Sequence, residues 1–168
     1  LDDAPRQLKE IPVIPGFNEG LENALGSVVE IKTDKHVGSG SLVSEDGYIL
    51  TNYHIIKNTV NVPSSSIYAA FPFSFTDPPE EVFLCRVVEY DEQLDLALLK
   101  IESGIYGQPL PYRYTFPYLR IADSSRLGIG QPVSVAGYPS IGGSGSRVSI
   151  TLTRGIISRA LPIPDERK

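Results

Sequence analysis

Among the residues able to do acid–base or nucleophilic chemistry, His54 and Asp95 have the most informative surroundings. His54 follows Asp46-Gly47-Tyr48-Ile49-Leu50-Thr51-Asn52-Tyr53, where a strand gives way to a turn or a short helix. A general base needs that placement, with a rigid element behind it and a free imidazole edge on the other side. Asp95 opens the apolar run Leu96-Ala97-Leu98-Leu99-Lys100-Ile101. A buried carboxylate costs free energy unless it is paired or hydrogen-bonded. Asp95 is therefore expected to be buried with a partner, and His54 is the candidate. The stretch between them is long enough for strands to run out and back to one rim. A histidine oriented by an aspartate forms two members of a nucleophilic triad. The acid fixes the tautomer and stabilises the imidazolium formed when a serine hydroxyl loses its proton.

The neighbouring candidates have plainer readings. Asp91 and Glu92 look like turn residues, His36 lies in a polar turn and reads as solvated, and Cys85 alternates with apolar neighbours as a small buried hydrophobe. The 168 residues hold 15 Lys+Arg against 20 Asp+Glu, a net charge of −5, so no basic surplus invites a nucleic acid. One cysteine excludes a disulfide within these residues and any thiolate metal cluster, and two well-separated histidines argue against a histidine metal site. No apolar run reaches the ~18–20 residues of a membrane span. The sequence starts at Leu1 without a visible targeting segment, which says little about compartment.

The elements that must position the pair are mostly strands. Residues 1–17 read as a Pro-rich arm, and residues 19–25 as a short helix capped by Asn18. From residue 26 the period is that of strands. Strands are predicted over residues 28–32, 37–43, 48–51, 67–75, 82–90 and 96–101, the second and third joined at the turn Ser44-Glu45-Asp46-Gly47. Six strands without a long helix predict an antiparallel barrel or sandwich. Residues 104–118 are rich in Pro and aromatics and read as a linker, its aromatics lying across a surface; they could line a peptide groove, as could residues 67–75, but such clusters are more often core or inter-barrel packing. Strands over residues 132–137 and 148–158, with the loop Gly142-Gly143-Ser144-Gly145-Ser146 between them, begin a second unit that two strands cannot close. The expected organisation is an arm and helix over 1–25, a first barrel over 26–103, the linker over 104–118 and the start of a second barrel over 119–168.

Several blocks of this sequence resemble Deg/HtrA-type serine proteases of the trypsin-like class. They are residues 38–56 with Thr51-Asn52-Tyr53-His54-Ile55-Ile56, residues 94–101 with Asp95-Leu96-Ala97-Leu98-Leu99-Lys100-Ile101, residues 119–139, and Thr153-Arg154-Gly155-Ile156-Ile157-Ser158. The resemblance implies an all-β, trypsin-like double β-barrel whose first barrel is complete and whose second is not. It implies a serine endopeptidase acting on extended or misfolded polypeptides, with His54 as general base oriented by Asp95. It implies no metal or organic cofactor, a homo-oligomer (a trimer), and an extracytoplasmic location, periplasmic or secreted. The family's nucleophile lies in a Gly-Asn-Ser-Gly-Gly motif, and no Gly-x-Ser-Gly-Gly occurs here. Ser144 is the nearest imitation but precedes the strand that should come before the nucleophile. The nucleophile is thus expected outside these 168 residues, which alone are expected to be inactive. The alternative is a catalytically inactive, protease-like binding or regulatory module.

Overall fold

The computed structural model describes residues 10–15, 20–139 and 148–159. Helix α1 (Leu21–Gly26) leads into strands β1 (Val28–Lys32), β2 (Val37–Leu42) and β3 (Tyr48–Thr51). Helix α2 (Tyr53–Ile56) follows, then β4 (Ile67–Phe71), β5 (Glu80–Asp91) and β6 (Leu96–Gly104). A single 3-10 turn (Ser124–Arg126) precedes β7 (Pro132–Gly137) and β8 (Thr151–Ile156). The first six strands close into an antiparallel barrel in the order β1-β2-β3-β6-β5-β4, while β7 and β8 form a separate two-stranded sheet. The protein is thus all-β in class, with two short helices among the described residues.

Alternation builds the barrel interior. Val29, Ile31, Leu42, Ile49, Ala69, Phe71, Phe83, Leu99 and Ile101 point inward and are buried. Glycines make room where strands crowd. A Cβ on Gly40 would come within 2.6 Å of Ile49 Cγ2. At Gly47 the turn before β3 takes φ 90, and a Cβ there would meet Phe116 at 2.9 Å. Strand β1 is buried along nearly its whole length because its outer side is covered too. Tyr138, just past β7, is itself buried and donates its main-chain N–H to Ser39 Oγ at 2.8 Å.

The structure corrects several details. Helix α1 starts at Leu21 with Gly20 as N-cap, and Asn18, the expected cap, lies outside the described residues. Strand β4 stops at Phe71, because Pro72 has no N–H to continue the ladder. Strands β5 and β6 run longer than expected, and β8 is shorter than residues 148–158. The aromatics of residues 104–118 divide between the core, as expected of such a cluster, and the surface. Tyr114 and Phe116 pack onto Phe71 and Phe83 with ring centroids 5.3–5.9 Å apart and close the barrel at the Gly47 end. Tyr112, by contrast, is exposed. The loop around Ser144 lies outside the described residues.

Candidate active site

Register brings His54 and Asp95 together. Strands β3 and β6 are antiparallel neighbours with Thr51 opposite Ala97. The residues just after β3 and just before β6 therefore leave the barrel at the same rim. His54 is on the first turn of α2, and Asp95 is in the turn that ends at Leu96. Helix α2 is fixed from beneath by Ile55 and Ile56, which are buried in the core. The absence of a side chain at Gly38 is what admits Ile55, since a Cβ there would lie 2.6 Å from Ile55 Cδ1. Thr51 Oγ1 donates to the Ser39 carbonyl at 2.8 Å and ties the end of β3 to β2.

The Asp95 carboxylate accepts three hydrogen bonds from one short segment. His54 donates its main-chain N–H to Oδ1 at 2.8 Å and lies with Nδ1 2.7 Å from Oδ2. Asn52 Nδ2 donates to Oδ2 at 3.3 Å and also to the Asp95 carbonyl at 3.0 Å. That carbonyl accepts from the Tyr53 N–H as well, at 3.2 Å. Asp95 adopts φ 51, a left-handed conformation that Asp tolerates better than most residues. The turn before it is held by Leu94 N–H donating to Asp91 Oδ1 at 2.9 Å.

These bonds depress the Asp95 pKa below the usual carboxylate value. The His54 main-chain N–H is the largest cause, followed by the hydrogen bond to the imidazole. An ionised carboxylate can only accept, so Nδ1 carries the proton in the pair. Nε2 of a neutral imidazole is then the basic nitrogen, and no hydrogen bond occupies it among the described residues. The arrangement can take a proton from a group facing Nε2 and keep the resulting imidazolium against an anion.

The expectation of a buried acid is corrected: the Asp95 side chain is 43% exposed and that of His54 is 55% exposed. Asp95 lies in the turn before β6, whose start at Leu96 is the expected one. His36, read as solvated, is half-buried, with Nε2 2.8 Å from Asn58 Nδ2. Cys85 fits its reading, being partly buried against the core, where burial pushes its thiol upward. Two contributors escaped the sequence reading. Asn52 carries a signal, an amide two residues before the histidine. Tyr90, which stacks on Tyr53 at 5.0 Å, carries none.

A closed antiparallel barrel with a histidine hydrogen-bonded to an aspartate at its rim defines the class, an all-β barrel protein. A trypsin-like peptidase domain model matches residues 38–167, and the chain belongs to that family. Curated relatives that the chain matches are named as DegP-like and HtrA proteases. The chain is 34% identical over 131 residues to a "Probable periplasmic serine endoprotease DegP-like" of Rickettsia prowazekii, covering 76% of this chain and 20% of that protein. A protein of the same name from Marinomonas sp. is 32% identical, covering 75% of this chain and 22% of the relative. "Serine protease Do-like HtrA" of Lactococcus lactis subsp. cremoris is 33% identical, covering 72% and 25%. The chain therefore spans about a fifth to a quarter of the length of these relatives.

Proposed function

We propose that this chain contributes the base and the orienting acid of a Deg/HtrA-type serine endopeptidase. His54 Nε2 takes the proton of a serine hydroxyl as its oxygen attacks the scissile carbonyl, and returns that proton to the leaving amine. Asp95 holds the Nδ1–H tautomer and stabilises the imidazolium between the two transfers. The observation that carries the reading is the joint hold of one segment, residues 52–54, on a single carboxylate. The nucleophile comes from sequence outside residues 1–168, as the lack of a Gly-x-Ser-Gly-Gly motif suggests. Residues 1–168 alone then hydrolyse no peptide by a serine mechanism, since loss of the nucleophile costs on the order of 10⁴–10⁶ in rate. The domain organisation proposed is an arm over residues 1–25, a first barrel over 26–103, a connecting segment over 104–118 and the opening of a second barrel over 119–168.

The substrate class is extended or misfolded polypeptide and the assembly a trimer, both on the family resemblance alone, while an extracytoplasmic compartment accords with relatives named periplasmic endoproteases. Among the described residues no helix is long and apolar enough to cross a membrane. The test is labelling of the full-length gene product with a fluorophosphonate probe. Labelling of one serine, slowed at least ~100-fold in His54→Ala, is the expected result. A full-length protein that takes up no label at any serine would overturn the reading in favour of a non-catalytic binding module.

A further inference from the structure

Strand β4 covers β5 only as far as the pair Ile67↔Cys85. Strand β5 runs on through residues 86–91, paired on one side to β6 and bulged between Val87 and Glu89. On the β4 side, no strand or loop bonds the backbone of residues 86–91 among the described residues. A groove of about 860 Å³ lies there instead, with Thr59, Val60, Val62 and Pro63 on one wall and Val87 and Glu89 on the other. A row of open N–H and C=O groups beside an empty trough is a template for an added strand.

The side chains specify what kind of strand. Val60, Val62 and Val87 give the groove an apolar lining suited to short aliphatic side chains. Arg86 is engaged by Glu102, with Nε 2.9 Å from Oε1. Among the described residues, the groove charge outside any ion pair is therefore Glu89, and Asp91 and Glu92 follow it, both exposed. The geometry points to an extended polypeptide segment, alternating small apolar and basic side chains, adding to the open edge of β5. This groove contains neither His54 nor Asp95. Its far end is Tyr90, whose stacking on Tyr53 at 5.0 Å brings the edge within one residue of His54.

The test uses the 168-residue chain and a fluorescein-labelled probe, acetyl-Val-Lys-Val-Lys-Val-amide, followed by anisotropy. Two versions carry backbone N-methyl groups, one on the lysines and one on the valines. Only the set whose N–H groups face β5 should lose binding, by at least tenfold. Replacing lysine by glutamate in the probe should weaken binding to the unaltered chain and strengthen binding to Glu89→Lys. Hydrogen exchange with the parent probe should slow at residues 86–90. Absence of binding at millimolar probe, equal loss or no loss with both methylated versions, indifference to charge exchange, or protection appearing on β7 or β8 would each overturn the inference. Because these arms need neither catalysis nor a serine, their failure leaves the peptidase reading untouched.

Discussion

At the scale of single residues, the His54–Asp95 pair has an asymmetry that can be measured. The hydrogen bond from the His54 main-chain N–H is the largest single cause of the lowered Asp95 pKa, ahead of the hydrogen bond from its imidazole. His54→Ala keeps that N–H. The Asp95 midpoint followed by carboxyl ¹³C NMR should therefore rise in His54→Ala yet stay below the value of an unfolded aspartate, about 3.9. A midpoint at or above that value would show the imidazole to be the main cause. The sign for stability follows from the same depression. The contribution of this carboxylate is present above the unfolded value and is lost as pH falls through the lower folded one. Asp95→Asn should keep the fold, disturb the tautomer, and lower kcat of the full-length peptidase by on the order of 10⁴. Both residue types and their likeness to a protease pair were legible in sequence, because each sits at a strand boundary beside a recognisable block. The half-open carboxylate was not legible. Its partners come from a left-handed turn at Asp95 that Leu94-Asp95-Leu96 does not announce. His36 was misread for a related reason, since its partner Asn58 belongs to a different loop.

At the scale of elements, the β2–β3 hairpin is what aims α2, and its glycines are the sensitive points. A methyl group on Gly40 would lie 2.6 Å from Ile49 Cγ2 and 3.0 Å from Ile31 Cγ1, both in the packed interior. Branched side chains have little rotamer freedom to yield. Gly40→Ala should therefore destabilise the fold by about 1–3 kcal/mol, the usual cost of overpacking. Gly155→Ala in β8, where a Cβ meets nothing within 4 Å, is the control and should shift stability by less than ~1 kcal/mol. Urea midpoints with unchanged slopes measure both, and equal shifts would refute the packing argument. The hairpin was readable because Asp46-Gly47 marks its turn and the flanking residues alternate. The end of β4 was overshot: the aromatic run to Phe75 favours a strand, and Pro72 outweighs it. The length of β5 could not be read, because its last stretch of pairing depends on a bulge against β6.

At the scale of the whole molecule, the barrel and the β7–β8 sheet rest on unequal foundations. The barrel closes on itself and buries an aromatic and aliphatic interior. Strands β7 and β8 pair only with each other among the described residues, and Val135 and Ile156 are 65% and 61% exposed. A lone two-stranded sheet is marginal in water, so β7–β8 depends on its anchorage to the barrel. That anchorage is local: Tyr138 is buried, bonds Ser39 through its N–H and reaches the Val28 carbonyl through its hydroxyl at 3.4 Å. The number of barrel strands was legible from periodicity, and so were the two strands of the second sheet. The clasp was not, because it joins Tyr138 to β1 and β2 across about a hundred residues. Local opening of β7–β8 should therefore precede global unfolding. Native-state hydrogen exchange on the 168-residue chain should find amides of β1, β3 and β6 protected at least ~100-fold more than those of β7 and β8, a gap of about 2.7 kcal/mol. Tyr138→Ala should widen that gap by releasing β7–β8 while leaving barrel protection within a factor of ~3. If Tyr138→Ala lowers protection equally in barrel and sheet, the two form one cooperative unit and the clasp is not where the second sheet gains its order.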